Sequence, residues 1–260
     1  MENKKSSGFS LSEVLVAMAI IGIIAAVTVP NVIASYQRQT MLTLLQKTYL
    51  ELGQNLTVLS TEAYHKDAYS GNNQYFYQVP YNVSYGRANL NNKTFYQSLL
   101  SLQGRSVANT AGKFFIGDAN NKGYYTIIND CGTTAQPCFA ASYANINGNS
   151  NQAFSCNDGY SVTIKSGTAM CIVPADGGNP AKVHVDVNGT EGPNIGGRDM
   201  FTFYIYDDYS IDEKDVGPDK IKDNTAEAAR NTLFTSSCLS STTGEGCFGK
   251  ILNDNWKMNY

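Results

Sequence analysis

A run of nearly unbroken apolar character, Phe9 to Val29, begins only eight residues into the chain. Its length of about twenty residues, at a helical rise of about 1.5 Å each, matches the roughly 30 Å hydrocarbon core of a bilayer. The polar segment before it carries Lys4 and Lys5, which favours a cytoplasmic N-terminus and places the residues beyond Pro30 across the membrane. Two simpler readings compete. A secretory signal peptide also joins a basic start to an apolar middle, but this run is long for one, holds Glu13 and flows without a break into an amphipathic stretch. A plain anchor accounts for the length and leaves a carboxylate near the cytoplasmic end of the span without a partner, at a cost of about 2–3 kcal/mol on insertion scales.

The string Lys5-Ser-Ser-Gly8-Phe9-Ser-Leu-Ser-Glu13-Val-Leu-Val resembles the prepilin cleavage and methylation motif of type IV pilins and type II secretion pseudopilins. The resemblance implies that a membrane aspartyl protease, the prepilin peptidase, cuts after Gly8. It implies further that the new terminal Phe9 is N-methylated and that Glu13 is the assembly glutamate. Pro30 falls where many pilins carry a helix-kinking proline, and Gly22 in a segment that loosens in some assembled filaments. Cleavage would remove Lys4 and Lys5 and create a cationic amine on Phe9. That amine can pair with Glu13 of a neighbouring subunit, so that each charge gains a partner where neither is tolerable alone. The competing reading of Glu13 is a carboxylate that snorkels to the interface unpaired.

Beyond the span, Met41, Leu44, Leu45, Tyr49, Leu52, Leu56 and Leu59 recur at three- and four-residue steps, with Gln37, Arg38, Gln46, Lys47, Glu51 and Gln54 opposite. This predicts one long helix, bent or loosened near Pro30, whose trailing half buries its stripe under a sheet. A coiled coil is the less economical reading of so short a stripe. Residues 60–112 are rich in Tyr and Asn, with a short helix expected over Phe95–Leu102; their aromatic residues either pack polar loops or form an adhesive surface.

Strand character appears next at Lys113–Gly117, Tyr124–Ile128, Tyr160–Lys165, Thr168–Val173, Val183–Val187 and Met200–Tyr206, with Ser166-Gly167 as a hairpin turn. Ala140–Ala153 reads as a solvated loop, Asp207-Asp208-Tyr209 as a strand-end turn, and Asn224 with Glu227 as the cap of a last helix. Lys250–Trp256 is expected to be a final strand with Trp256 over the core. The fold class is therefore α+β, a pilin-like long N-terminal helix on an antiparallel sheet. It divides into a leader (1–8), the transmembrane and amphipathic helix (9–59) and a globular head (60–260).

All six cysteines, Cys131, Cys138, Cys156, Cys171, Cys238 and Cys247, lie in the second half, with no CxxC pair and no neighbouring His. Disulfides in an oxidising compartment are the expectation. Pairing between sequence neighbours is preferred because each bond would close a short loop, although six cysteines allow about fifteen connectivities. The Cys238–Cys247 pair also resembles the disulfide-closed C-terminal loop of many major pilins.

One loop carries candidate cation ligands: Asp186, Asn188, Thr190, Asn194 and Asp199. Oxygen ligands at alternate positions, ending in a carboxylate about a dozen residues on, suit Ca2+, and some related pseudopilins bind calcium in a late loop. The spacing departs from the EF-hand, and Asn188-Gly189 with the subsequent Gly-Pro also explains a structural turn.

The net charge of −3 argues neither for a nucleic-acid footprint nor for a polyanion-binding surface, and no nucleic acid is expected as a partner for most of the protein. Without a catalytic constellation the chain is expected not to be an enzyme and to require no cofactor. The resemblance implies self-association into a helical filament, with the prepilin peptidase and an inner-membrane assembly platform and its ATPase as partners. The precursor would sit in the bacterial inner membrane as a single-pass protein, and the product in a surface pilus. Alternatives within the family are a periplasmic type II secretion pseudopilin and a minor pilin with an adhesive or DNA-binding head.

Overall fold

The computed structural model describes residues 10–70, 81–82, 87–88, 115–117, 123–132, 134–149, 151–157, 159–173, 180–206 and 208–260. Contacts divide the chain into two compact units, Met1–Thr40 and Met41–Tyr260. Of the tyrosine-rich stretch 60–112, residues 60–70 continue the long N-terminal helix past its expected end near Leu59, and Tyr81–Asn82 and Arg87–Ala88 are short strands. Most of its remainder, with the short helix expected over residues 95–102, and Asp207 lie outside the described residues.

One helix, α1, runs over Leu11–Ser70 with Pro30 inside it. Proline removes one backbone donor from the ladder, and side chains nearby make their own bonds to carbonyls four residues back. Thr28 Oγ1 donates to Ile24 O at 2.9 Å and Asn31 Nδ2 to Val27 O at 3.3 Å. In the first unit the apolar side chains of α1 from Leu11 to Ile33 are exposed.

In the second unit the helix behaves differently. Leu45, Leu52 and Leu56 are fully buried, as are most of Thr48 and Asn55. These positions fall on one face of a helix, and that face meets a sheet. The sheet is antiparallel throughout and seven-stranded: β3 (Phe115–Gly117), β4 (Gly123–Gly132), β7 (Tyr160–Ile164), β8 (Ala169–Val173), β9 (Ala181–Asp186), β10 (Met200–Ile205) and β11 (Ile211–Asp212). Their spatial order is β11-β10-β9-β8-β7-β4-β3. Short hairpins β1–β2 (Tyr81–Asn82, Arg87–Ala88) and β5–β6 (Ser142–Ala144, Asn151–Ala153) stand outside it. The β7–β8 turn is closed by Gly167, whose φ of +89° suits glycine.

Strand β10 is buried along its whole length. Phe201, Phe203 and Ile205 join the α1 core with Val183 and Val185, whereas Met200 joins a second cluster with Phe139, Tyr143, Ala169 and Cys171. Both faces of the central strands are therefore covered. The second cover is the region expected to be a solvated loop: Ala140–Ala153 contains β5 and β6, and the Tyr143 side chain is buried.

The C-terminus also departs from expectation. After α2 (Pro218–Lys222) comes α3 (Ala226–Ser236), whose N-cap is Thr225 without a side-chain cap bond. Asn224 instead takes a left-handed φ of +56° and ends the preceding turn. The expected last strand is α4 (Phe248–Asn253), a helix that comes after a 3-10 turn at Cys238–Ser240. Phe248 and Ile251 are buried in the core beside Leu45 and Leu52 of α1, so the tail packs as a helix against α1 and does not join the sheet. Trp256 does lie on the core, 5.3 Å from the Tyr49 ring and 6.0 Å from Phe248.

Candidate functional site: the head of the apolar helix and the loops of the globular unit

Gly8 and Phe9 lie outside the described residues, which begin at Ser10. Glu13 sits in the first turn of α1, where its carboxylate oxygen Oε2 accepts from Ser10 N–H at 2.8 Å and from Ser10 Oγ at 2.9 Å. A carboxylate at this end also complements the helix dipole. Among the described residues Glu13 forms no ion pair. Gly22 leaves open space, since a Cβ there would meet no other atom within 4 Å. The most apolar 18-residue window of α1 has a mean hydropathy of 2.3 and none of it is buried. The helix is thus long and apolar enough to cross a membrane, with one carboxylate at its head.

The loop between β9 and β10 gathers the five candidate oxygen ligands. Asp186 Oδ1 accepts from Asn188 N–H at 3.2 Å, and Asp186 Oδ2 accepts a short hydrogen bond from the Tyr143 hydroxyl. Asp199 takes Asn194 N–H at 2.6 Å and Ile195 N–H at 2.7 Å on its two oxygens. Asn188 Nδ2 closes onto the carbonyls of Glu191 and Gly192 at 2.9 and 3.0 Å, and Thr190 is exposed at the tip. Protein donors thus reach both carboxylates, and the loop is closed by its own hydrogen bonds. The side-chain oxygens of Asn188 and Asn194 are buried and accept no hydrogen bond. Burial pushes the Asp186 carboxyl up to about 8, against the Tyr143 hydrogen bond that favours its charged form, with Asp199 adding repulsion. Burial raises Asp199 as well.

The loop is locked from its far side. Gly244 packs so closely that a Cβ there would lie 2.0 Å from Met200 O. Tyr260 donates its hydroxyl to Gly197 O at 3.1 Å, and Arg198 lies over the Tyr260 ring at 5.3 Å. The partner in this lock is the segment closed by the Cys238–Cys247 disulfide; the other bonds join Cys131 to Cys138 and Cys156 to Cys171. No cysteine is free.

Beneath that segment lies a group that nothing in the sequence singles out. Glu213 is fully buried, and its carboxylate accepts Gly246 N–H at 3.1 Å and Gly249 N–H at 2.9 Å. Burial drives its carboxyl up to about 7, against those donors. Asp212 beside it receives the Arg230 guanidinium in two hydrogen bonds. His184, pushed down to about 3 by burial, is neutral and bonded to Thr202. Each of these groups braces the globular unit, and among the described residues no cluster of three His, Cys, Asp or Glu forms a metal site.

Residues 3–29 match the family model described as the prokaryotic N-terminal methylation motif. No curated protein and no solved structure shows significant similarity to the chain. The motif match and the exposed apolar helix agree: residues 3–29 support a type IV pilin-like precursor of the kind a prepilin peptidase processes, on a helix long and apolar enough to cross a membrane.

Proposed function

We propose that this chain is a structural subunit of a type IV pilus-like filament, cut after Gly8 and polymerised through the leading part of α1. The observation that carries the reading is a helix whose apolar side chains are exposed from Leu11 to Ile33 and whose Glu13 has no cation partner among the described residues. Lipid solvates such a helix in the membrane. Outside the membrane only like helices from other copies can do so, by side-chain packing. The Phe9 amine released by cleavage supplies the cation that Glu13 lacks, and a pair formed only at the right stagger sets registry between subunits.

In this reading the globular unit is carried on the filament and performs no chemistry. Its disulfides suit it to the oxidising side of the membrane. The partners are other copies, the peptidase and the inner-membrane assembly platform with its ATPase; no cofactor is required and no nucleic acid is bound. The Cys238–Cys247 segment near the C-terminus, which resembles the disulfide loop of major pilins, supports a surface pilus over a secretion pseudopilus.

Glu13→Gln tests the proposal, because it keeps the shape and the acceptor and removes the charge. The variant should insert and lose its leader normally, while filaments in the sheared surface fraction fall at least about tenfold, the scale of a buried charge left unpaired. Normal filament yield would contradict the charge pairing. Filaments confined to the cell envelope would move the reading to the pseudopilus.

A further inference from the structure

The contacts at the start of α1 are reciprocal between Ser10 and Glu13, and the Ser12 hydroxyl lies 3.0 Å from Ser10 Oγ. Ser10 donates both N–H and Oγ–H to Glu13 Oε2; Glu13 N–H returns a bond to Ser10 Oγ at 3.3 Å, and Val14 N–H bonds the Ser10 carbonyl at 3.3 Å. This is a capping box, in which a Ser cap and a Glu three residues on satisfy each other's backbone donors. It matters more here than on a wet surface, because an orphaned N–H at the edge of hydrocarbon has little water to turn to. Both bonds that Ser10 donates to Glu13 reach one carboxylate oxygen, Oε2, and neither uses Oε1.

The box stands immediately after the bond that the peptidase cuts, with Ser10 two residues beyond the Gly8 carbonyl. We infer that Ser10 is a positioning residue for leader removal: by pinning the start of α1 at Leu11 it fixes the register of the helix that the peptidase meets just beyond the bond it cuts. Without the cap, helix starts one residue apart compete, and each changes the helical register by a step of about 1.5 Å in rise and about 100° in turn. A protease embedded in the same membrane meets its substrate at a fixed depth, and misplacement of about 1 Å is enough to slow a reaction held by geometry. The cap also gives Glu13 a task before assembly that does not require its charge, since an amide oxygen accepts the same bonds. The inference rests on the motif's processing by a prepilin peptidase.

The test uses the full-length precursor in membrane vesicles, a purified prepilin peptidase, and the mass shift of leader loss as the clock. Ser10→Ala should lower kcat/KM about fivefold, the size of a lost helix cap, with the loss carried mainly by kcat because the leader's other contacts remain. Ser10→Thr, which caps through the same oxygen, should restore the rate. Cleavage of Ser10→Ala at the wild-type rate overturns the inference, and so does a Thr variant no faster than Ala. A wild-type chain left uncut by an active peptidase would instead remove the processing reading on which both rest.

Discussion

Leu15 and Leu52 lie on the same helix, yet one is 59% exposed and the other 0%. From Met41 onward α1 is finished by its own chain: Leu45, Leu52 and Leu56 sit under the sheet, and Tyr49 meets Phe203, Phe248 and Trp256. Before Thr40 the same helix is apolar with nothing among the described residues to cover it. Within one continuous element, periodic amphipathicity marks the part that folds, and unbroken apolarity marks the part that must be solvated by lipid or by other copies. The globular unit carries three disulfides, a buried glutamate and an ion pair between Arg230 and Asp212; the leading helix carries one glutamate and one cap.

The sharpest way to break that contrast is to make one change in both places. Leu52→Ala should destabilise the globular unit by about 3–4 kcal/mol, as a cavity in a filled core does. Leu15→Ala should leave its thermal midpoint in detergent unchanged. Equal effects would mean that the leading helix folds with the rest. Next in size, replacing Cys238 and Cys247 together by Ser should cost about 2–3 kcal/mol through the freed unfolded chain. Because Gly244 and Tyr260 hold the β9–β10 loop, hydrogen exchange should rise at residues 194–199 and stay low in β7 and β8. A loop equally protected in both forms would show that the disulfide segment does not brace it. Asp212→Ala leaves the half-buried Arg230 without its carboxylate and should cost about 2 kcal/mol, read by denaturant midpoint at constant slope.

Carboxyls held above their ordinary range bind protons more tightly folded than unfolded, so the stability they contribute is present in acid and lost as pH rises through the window between the two values. That window runs from 4.5 to about 7 for Glu213 and from 3.8 to about 8 for Asp186. His184, lowered to about 3, acts oppositely and takes stability away as pH falls below its ordinary 6.5. The carboxyl effect is therefore cleanest above that value. Between about pH 6.5 and about pH 8 stability should fall by about 1–2 kcal/mol, and Asp186→Asn should flatten the slope. A slope of opposite sign would show Asp186 to be charged in the fold.

The smallest expected effect is that of calcium. With Asp186 and Asp199 already bonded by protein donors, calcium addition or chelation should leave the melting curve in place. A calcium-dependent rise would mean that an ion joins the unpartnered oxygens of Asn188 and Asn194.

Elements whose reasons are local were legible in the sequence. The apolar run, the three- and four-residue steps of α1 and the Ser166-Gly167 hairpin each appear where the residues place them, because each depends on spacing or on one turn residue. Elements decided by tertiary cover were not. Ala140–Ala153 is rich in Asn and looks wet, yet Tyr143 turns inward to donate to Asp186. Lys250–Trp256 has strand-like content but forms a helix against α1. The Asn224–Glu227 pattern matches a capping box and is not used as one, while Ser10 and Glu13, at the same spacing and just as visible, form one at the head of the helix. Glu213 carried no mark of its role: its backbone donors, Gly246 and Gly249, lie 33 and 36 residues on and meet it only in the folded unit.

In the proposed function the leading helix, exposed within one copy, is completed by other copies after leader removal. Intact mass and N-terminal sequence of the protein from sheared surface filaments test it most directly. The account predicts a chain that begins at N-methylated Phe9 and is enriched in that fraction. A chain that retains Lys4 and Lys5, or one cleaved beyond Ala25 and soluble, would contradict it and leave α1 a plain anchor or a signal sequence.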